Sequence, residues 1–312
     1  MAGPRSSDTT GLLPGLVVGS FGHHCLVESP DGQRRICRPR GKKGQAVVGD
    51  RVQWRETHDE GTIERVDPRR NLFYRQDEIR TKSFAANLDQ VLVLIAADPE
   101  FSEQQLSRAL IAAEAEHIAP IIALNKSDLV EPFGRAWNRL LPYQGMGYGV
   151  LPLSLRLSSD VDRDSLLGHL RGKTTLVLGP SGAGKSTLIN LLVPGAAAQT
   201  GEVSRALNSG RHTTTTTTWY WMDAEHQTAL IDSPGFQEFG LHHIPPAALA
   251  NLMRDLRPHV GQCKFSNCTH RHEPGCAVIA AVAHADGPHP ITANRYRIYT
   301  ELFEELSQPP RY

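Results

Sequence analysis

Gly179–Ser186 reads GPSGAGKS, a G-x4-G-K-S match. That pattern does one chemical job well. Its glycines let backbone N–H groups curl around phosphate oxygens, and the following helix N-terminus adds partial positive charge. Lys185 would reach the β- and γ-phosphates, and Ser186 would ligate Mg²⁺. The nucleotide set from this loop is Gly179, Pro180, Ser181, Gly182, Ala183, Gly184, Lys185, Ser186 and Thr187.

Asn125-Lys126-Ser127-Asp128 follows the apolar run IIAL. N-K-x-D at a strand end suits guanine. The Asp128 carboxylate can accept from guanine N1–H and the exocyclic amine, and adenine would leave that carboxylate unpaired. Asn125 would brace the loop, and the Lys126 stem would cover the base. Ser154, after the run VLPLS, is a second base-side candidate in degenerate surroundings.

Asp232-Ser233-Pro234-Gly235 ends the run ALID and gives an Asp-x-x-Gly element. Asp232 would hold Mg²⁺ through water, and the Gly235 N–H would sense the γ-phosphate. Where many GTPases place a water-orienting Gln after that Gly, this chain has Phe236, then Gln237. His212, in Gly210-Arg211-His212-Thr213-Thr214, is the other candidate for activating water. It lies between the phosphate loop and Asp-x-x-Gly, where a loop should close over the metal. Thr213 or Thr214 would supply a further Mg²⁺ ligand. A surface histidine and a β-prone threonine strand edge are the plainer readings of the same residues. The catalytic set is His212, Lys185 and Asp232.

Cys263, Cys268, His270 and Cys276 give C-x4-C-x-H-x5-C. Three thiolates and an imidazole complete a closed tetrahedral Zn²⁺ shell, the structural type. His272 competes with His270. Cys25 and Cys37 lie in apolar strand patterns and read as core residues.

These groups need a scaffold. VLVLIAA (91–97), IIAL (121–124), VLPLS (150–154), TLVLG (175–179) and ALID (229–232) are unalternating apolar runs. Helix-length segments such as Ser102–His117 separate several of them, which predicts a buried, mostly parallel α/β sheet. Upstream, LVVGSF, HCLVE, RRICRP, VVGDRVQW and GTIERV are short strands with turn residues between them, the pattern of a five-stranded OB-like β-barrel. Arg34–Lys43 puts six basic residues in that barrel, either an RNA contact or a solvated hairpin. Downstream, 246–257 and 293–306 read as helices around the Cys/His loop. The predicted fold is multidomain: a barrel over 1–72, an α/β P-loop GTPase domain over 73–240, and a mainly α zinc-binding domain over 241–312.

The 40% apolar fraction of 312 residues excludes global disorder. No apolar run approaches the roughly 18 residues of a membrane helix, so no membrane partner is expected. No leader is visible, which makes cytoplasmic location the default. Five cysteines argue against a disulfide framework. The formal net charge is zero, with mildly basic ends and an acidic middle. An RNA partner would have to be met in patches.

In most small GTPases the phosphate loop precedes the guanine reader. Here the reader comes first, as in a circularly permuted domain. The barrel, NKSD before GPSGAGKS, GRHTTT, DSPG and CKFSNCTHRHEPGCAV together resemble the ribosome small subunit-dependent GTPase A family. The resemblance covers nearly the whole chain. It implies a circularly permuted GTPase that binds the small ribosomal subunit and its rRNA near the decoding centre. Such proteins act late in subunit maturation, help release assembly factors, and turn over GTP to GDP faster with the subunit present. It places the structural zinc on Cys263, Cys268, His270 and Cys276, and the catalytic histidine on His212. Ser233 replaces the usual Thr. A monomer is expected. Arg254, Arg257, Lys264, Arg271, Arg295 and Arg297 are further candidate RNA contacts. The alternatives are a GTP-regulated RNA-binding module or a GTP switch for a non-ribosomal protein. The short link from Gly235 to residue 241 also suggests that loss of γ-phosphate could swing the C-terminal domain.

Overall fold

The computed structural model describes residues 11–41, 46–58, 60–157, 160–193, 195–196, 216–236, 238–283 and 290–309. His212, Thr213, Thr214, Gln237, Lys42 and Lys43 lie outside them.

The alternating N-terminal segments become β1 (Leu13–Phe21), β2 (His24–Glu28), β3 (Arg34–Pro39), β4 (Arg51–Glu56) and β5 (Gly61–Val66). They pair in the order β1-β2-β3-β5-β4, and β4 returns to β1, closing a barrel. Alternate residues point inward, so Val17, Cys25, Val27, Cys37, Val52, Trp54 and Ile63 form its core. Gly61 leaves room there. A Cβ would stand 2.4 Å from Cys37 Sγ and 2.8 Å from the Trp54 ring.

After the hairpin β6 (Leu72–Gln76) and β7 (Thr81–Ala86) come β8 (Gln90–Ala96), α1 (Glu103–Ala115), β9 (Ala119–Asn125) and α2 (Val130–Gly145). Then follow β10 (Gly149–Pro152), α3 (Asp160–Leu170), β11 (Thr174–Leu178), α4 (Lys185–Leu192), β12 (Thr217–Trp221) and β13 (Ala229–Asp232). The order is β10-β9-β8-β11-β13-β12, parallel except at β12. All seven residues of β8 are buried, since helices cover both faces and no alternation is needed. In α1, Ser102 caps the N-terminus by accepting from Gln105 N at 3.3 Å. Leu106, Ala109, Leu110 and Ala113 then face the core at helical spacing.

The barrel continues this sheet. Edge strand β12 pairs antiparallel with β1, Gly19 opposite Thr218 and Ser20 opposite Thr217. Trp221 Nε1 donates to Glu28 Oε1 at 2.7 Å across the same seam. The threonine tract therefore does enter a strand at its C-terminal end.

The C-terminal segment contains α5 (Ala277–Ala283) and α6 (Ala293–Ser307). The expected helix over 246–257 is instead two 3-10 turns, Pro246–Leu252 and Arg257–His259. The chain leaves helical geometry at Met253, where φ is −106° and ψ 114°. This segment docks on α1. Arg254 Nε and Arg257 Nη2 donate to Glu114 at 2.6 and 2.7 Å. Arg295, only 2% exposed, pairs with Asp255 and donates to Ser107 Oγ. Arg295 is thus a packing residue, not an RNA contact.

Candidate functional site

The phosphate loop spans β11 to α4. Gly182 and Gly184 hold φ of +80° and +105°, the left-handed region that glycine tolerates. At Gly179 a Cβ would lie 2.2 Å from the Leu94 carbonyl oxygen, so glycine lets the loop leave the sheet beside β8. At Gly184 it would lie 2.5 Å from Asn125 Nδ2.

That approach joins two motifs far apart in sequence. Asn125, 5% exposed, donates from Nδ2 to Ala183 O at 2.9 Å. Its Oδ1 accepts from Lys126 N at 2.8 Å and Leu155 N at 3.1 Å. One amide therefore fixes the phosphate loop, the base loop and the loop after β10. Ser154 Oγ donates to Asp128 Oδ1 at 2.9 Å, and Ser127 N donates to Leu153 O at 2.9 Å. Lys126, at φ +70°, sends its ammonium to Asp98 O. The five residues Asn125–Asp128 and Ser154 therefore meet in one place.

Asp232 lies opposite Val177 of β11, at the strand end that opens into the phosphate loop. Burial lifts its carboxyl to about 6, with Lys185 and the Ser233 N–H opposing. The same burial lowers Lys185, with Asp232 opposing. Lys185 Nζ donates to Gly179 O and Pro180 O, both at 2.8 Å, which aims it at the concave side of the loop. A Cβ on Gly235 would be 3.1 Å from Lys185 Nζ and 3.4 Å from Ser181 N. The Asp-x-x-Gly turn thus lies against the phosphate loop. Ser233 keeps the hydroxyl role of threonine, donating to Val177 O at 2.7 Å. The hydroxyl of Ser186 at the head of α4 and the Asp232 carboxylate are hard oxygen donors of the kind Mg²⁺ takes.

Phe236 is buried and anchored by its N–H to Gly179 O. Its ring meets Phe239 at 5.5 Å, and Phe239 packs on Phe73 at 5.7 Å and Phe84 at 6.0 Å. The position after Gly235 serves the core, not the attacking water.

In the second cluster, the ligand atoms of Cys263, Cys268, His270 and Cys276 all lie within 4.8 Å of one another. His270 Nδ1 is 3.4 Å from Cys263 Sγ and 3.5 Å from Cys276 Sγ, and those sulfurs are 3.8 Å apart. Tetrahedral Zn²⁺ with bonds of ~2.3 Å to sulfur needs sulfurs ~3.8 Å apart, so the residues fit that ion. His270, not the exposed His272, faces the thiols. The sequence reading missed Glu273, whose carboxylate accepts from the N–H groups of Thr269, Arg271 and His272 at 2.7, 3.1 and 3.2 Å. It shapes the loop that turns His270 to φ +57°. Tyr296 of α6 donates to His270 O at 2.9 Å.

The basic barrel segment is not a bare cationic surface. Arg34, Arg35, Arg38 and Arg40 pair with Glu28, Glu56, Glu60 and Glu64. Arg271 and Arg297 likewise pair with Glu304 and Glu301.

The sequence profile of the RsgA GTPase family matches residues 66–242, which hold the phosphate loop, NKSD and Asp-x-x-Gly. This chain belongs to the RsgA GTPase family. It is 72% identical over 297 residues to the small ribosomal subunit biogenesis GTPase RsgA of Variovorax paradoxus, covering 95% of this chain and 93% of that one. The same-named protein of Paraburkholderia phytofirmans is 48% identical over 311 residues, covering 98% and 96%. Among solved structures, YjeQ from Thermotoga maritima superposes with a TM-score of 0.70 at 29% identity, covering 95% and 98%. YloQ, described as a circularly permuted GTPase, gives 0.69 at 26%, covering 99% and 100%. The RsgA architecture is thus a circularly permuted GTPase domain behind a five-stranded barrel, with a Cys3His cluster in a C-terminal segment. As a member of the family, the chain hydrolyses GTP. Among the described residues no helix is long and apolar enough to cross a membrane.

Proposed function

We propose that this GTPase binds the small ribosomal subunit and its rRNA, and uses GTP hydrolysis in late subunit maturation, including release of assembly factors. It acts as a cytoplasmic monomer. The relatives' shared name supports the process. The observation that carries the reading is that both flanking modules join the nucleotide sheet at its sensing elements. The barrel is hydrogen-bonded to β12, which follows the segment holding His212 in sequence, and the C-terminal domain follows Gly235.

In this reading each site residue has a role. Ser154 holds one oxygen of Asp128, leaving the carboxylate oriented for guanine. Lys185 serves the β- and γ-phosphates. Ser186, Thr213 or Thr214, and Asp232 hold Mg²⁺, which supplies charge neutralisation on the phosphates. Phe236 keeps the post-Gly position dry, so His212 takes the proton as water attacks the γ-phosphorus and the bond to the β-phosphate breaks. The Cys3His cluster holds a structural Zn²⁺ that staples the C-terminal segment.

The test is GTP turnover by zinc-loaded protein with small subunits, with large subunits, and alone. The reading expects low turnover alone, a tenfold or greater rise with small subunits only, and loss of that rise in His212→Ala with GTP affinity intact. No response to small subunits would leave a GTP switch for another partner.

A further inference from the structure

Arg108 stands in the middle of α1, only 7% exposed, and its guanidinium serves two distant parts of the chain. Nη1 donates to Phe239 O at 3.2 Å and to Glu305 Oε1 at 2.9 Å. Nη2 donates to Glu305 Oε2. Phe239 is four residues past Gly235, with its ring on Phe236. Glu305 lies near the end of α6, the helix that also supports the Cys/His loop. One buried cation therefore spans the exit of the γ-phosphate loop and the C-terminal domain.

The covalent link between those parts is pinned. Arg75 donates to Glu238 O, Gln76 N donates to Gly240 O at 3.1 Å, and His242 N donates to Gln76 O at 2.9 Å. At Gly240 a Cβ would lie 2.3 Å from Asp77 Oδ1 and 2.5 Å from Gln76 O. The chain is thus held on β6 from residue 238 onward, and only Ser233–Gln237 lies between Asp232 and this anchor. A shift at Gly235 does not reach the C-terminal domain as a swing of a loose linker. It meets Phe239, whose carbonyl Arg108 ties to Glu305, and His242 of the same pinned segment approaches Glu305 Oε1 at 4.0 Å.

We infer that Arg108 is a positioning residue for the stimulated hydrolysis of GTP, coupling the docking of α6 through Glu305 to the geometry of the Asp232–Phe239 loop. A buried guanidinium tolerates loss of its carboxylate poorly. Displacing α6 therefore forces Arg108 to move, and the Phe239 carbonyl moves with it. The proposed trigger, a small subunit pulling on the C-terminal domain, rests on the function proposed above. The coupling itself does not.

Two measurements on full-length, zinc-loaded protein test it. In hydrogen exchange, residues 293–307 of the wild type should differ in protection between GDP and a non-hydrolysable GTP analogue. Glu305→Gln and Arg108→Lys should abolish that difference without changing GTP affinity more than twofold. In turnover, both variants should lose at least tenfold of the small-subunit stimulation and keep their rate alone within twofold. The double variant Arg108→Glu/Glu305→Arg restores the ion pair but turns a carboxylate toward the Phe239 carbonyl, so it should not rescue either readout. Rescue would reduce the pair to a domain staple and overturn the inference. So would a wild type whose α6 ignores the nucleotide, or variants that keep the exchange difference. A wild type unmoved by small subunits but showing the exchange difference would sink the ribosomal reading and leave the coupling standing.

Discussion

Asp232→Asn should make the protein more stable as pH rises while it disables hydrolysis. The structure buries this carboxyl and lifts it from 3.8 to about 6, with Lys185 offsetting part of the burial. About two pKa units correspond to ~3 kcal/mol. The folded-state value is above the unfolded one. Well below 3.8 the group is protonated in both states and costs nothing. Between 4 and 6 the folded state holds more protons, so stability falls as pH rises. Above about 7 the full cost is present. Asparagine mimics the protonated form and escapes that cost. Urea unfolding of both proteins, followed by the fluorescence of Trp219 and Trp221 on β12, would be compared at pH 4.5 and 7.5. Linkage with these values gives a variant advantage that grows by about 2 kcal/mol across that interval. GTP turnover should fall at least 100-fold, the scale of losing electrostatic stabilisation of the reacting phosphate once the hold on Mg²⁺ is weakened. An advantage that stays flat with pH, or reverses, would show that Asp232 is not held as a costly charge, and the trade of stability for metal binding would fail.

Three further outcomes are expected. Asp128→Asn should shift preference from guanine to xanthine nucleotides, read by competition binding; unchanged GTP preference would remove Asp128 from base recognition. Gly184→Ala, at φ +105° and 2.5 Å from the Asn125 amide, should cost about 2–4 kcal/mol of unfolding free energy in urea titration and weaken GTP binding tenfold or more, through strain and a broken Asn125–Ala183 bond. Chelating the metal, or Cys268→Ser, should expose α5 and α6 to hydrogen exchange while β8–β11 stay protected; unchanged protection would deny the cluster its structural role.

Much of this was legible because the physics is local. β8 and β11 are covered on both faces, so they read as unbroken apolar runs, and glycine and lysine at fixed spacing announce a phosphate loop. The barrel strands showed themselves by alternation. The hairpin β6–β7 did not, since Asp77–Arg80 carries no glycine turn and its strands gain their place from Phe239 and Gly240, far along the chain. The helix expected over 246–257 divides instead at Met253, where the backbone turns extended as the segment docks on α1 through Arg254 and Arg257. The charge of Arg34–Pro39 was readable, but its neutralisation was not. Glu56, Glu60 and Glu64 arrive from β4, β5 and the turn between them, which only the closed barrel brings alongside.

The permutation gives this site its wiring. With NKSD ahead of the phosphate loop, β12 and β13 become the last strands of the sheet, so the two segments proposed to sense the γ-phosphate lie next to the barrel and the C-terminal segment in sequence. On one side, β12 passes its edge to β1 of the barrel through Thr217 and Thr218. On the other, the chain leaving Asp232 enters the C-terminal domain. A short link invites the idea of a swinging domain. The structure argues against slack: residues 238–242 are bonded to β6, and Gly240 is packed without room for a methyl group. Rigid coupling changes what a partner must do. It need not wait for GTP to be spent before the C-terminal domain moves. By displacing α6 it disturbs Arg108 and Phe239, and so the loop that holds Gly235, before hydrolysis. On that logic the partner sets the timing of hydrolysis, and GTP loss then reports the event through the same contacts.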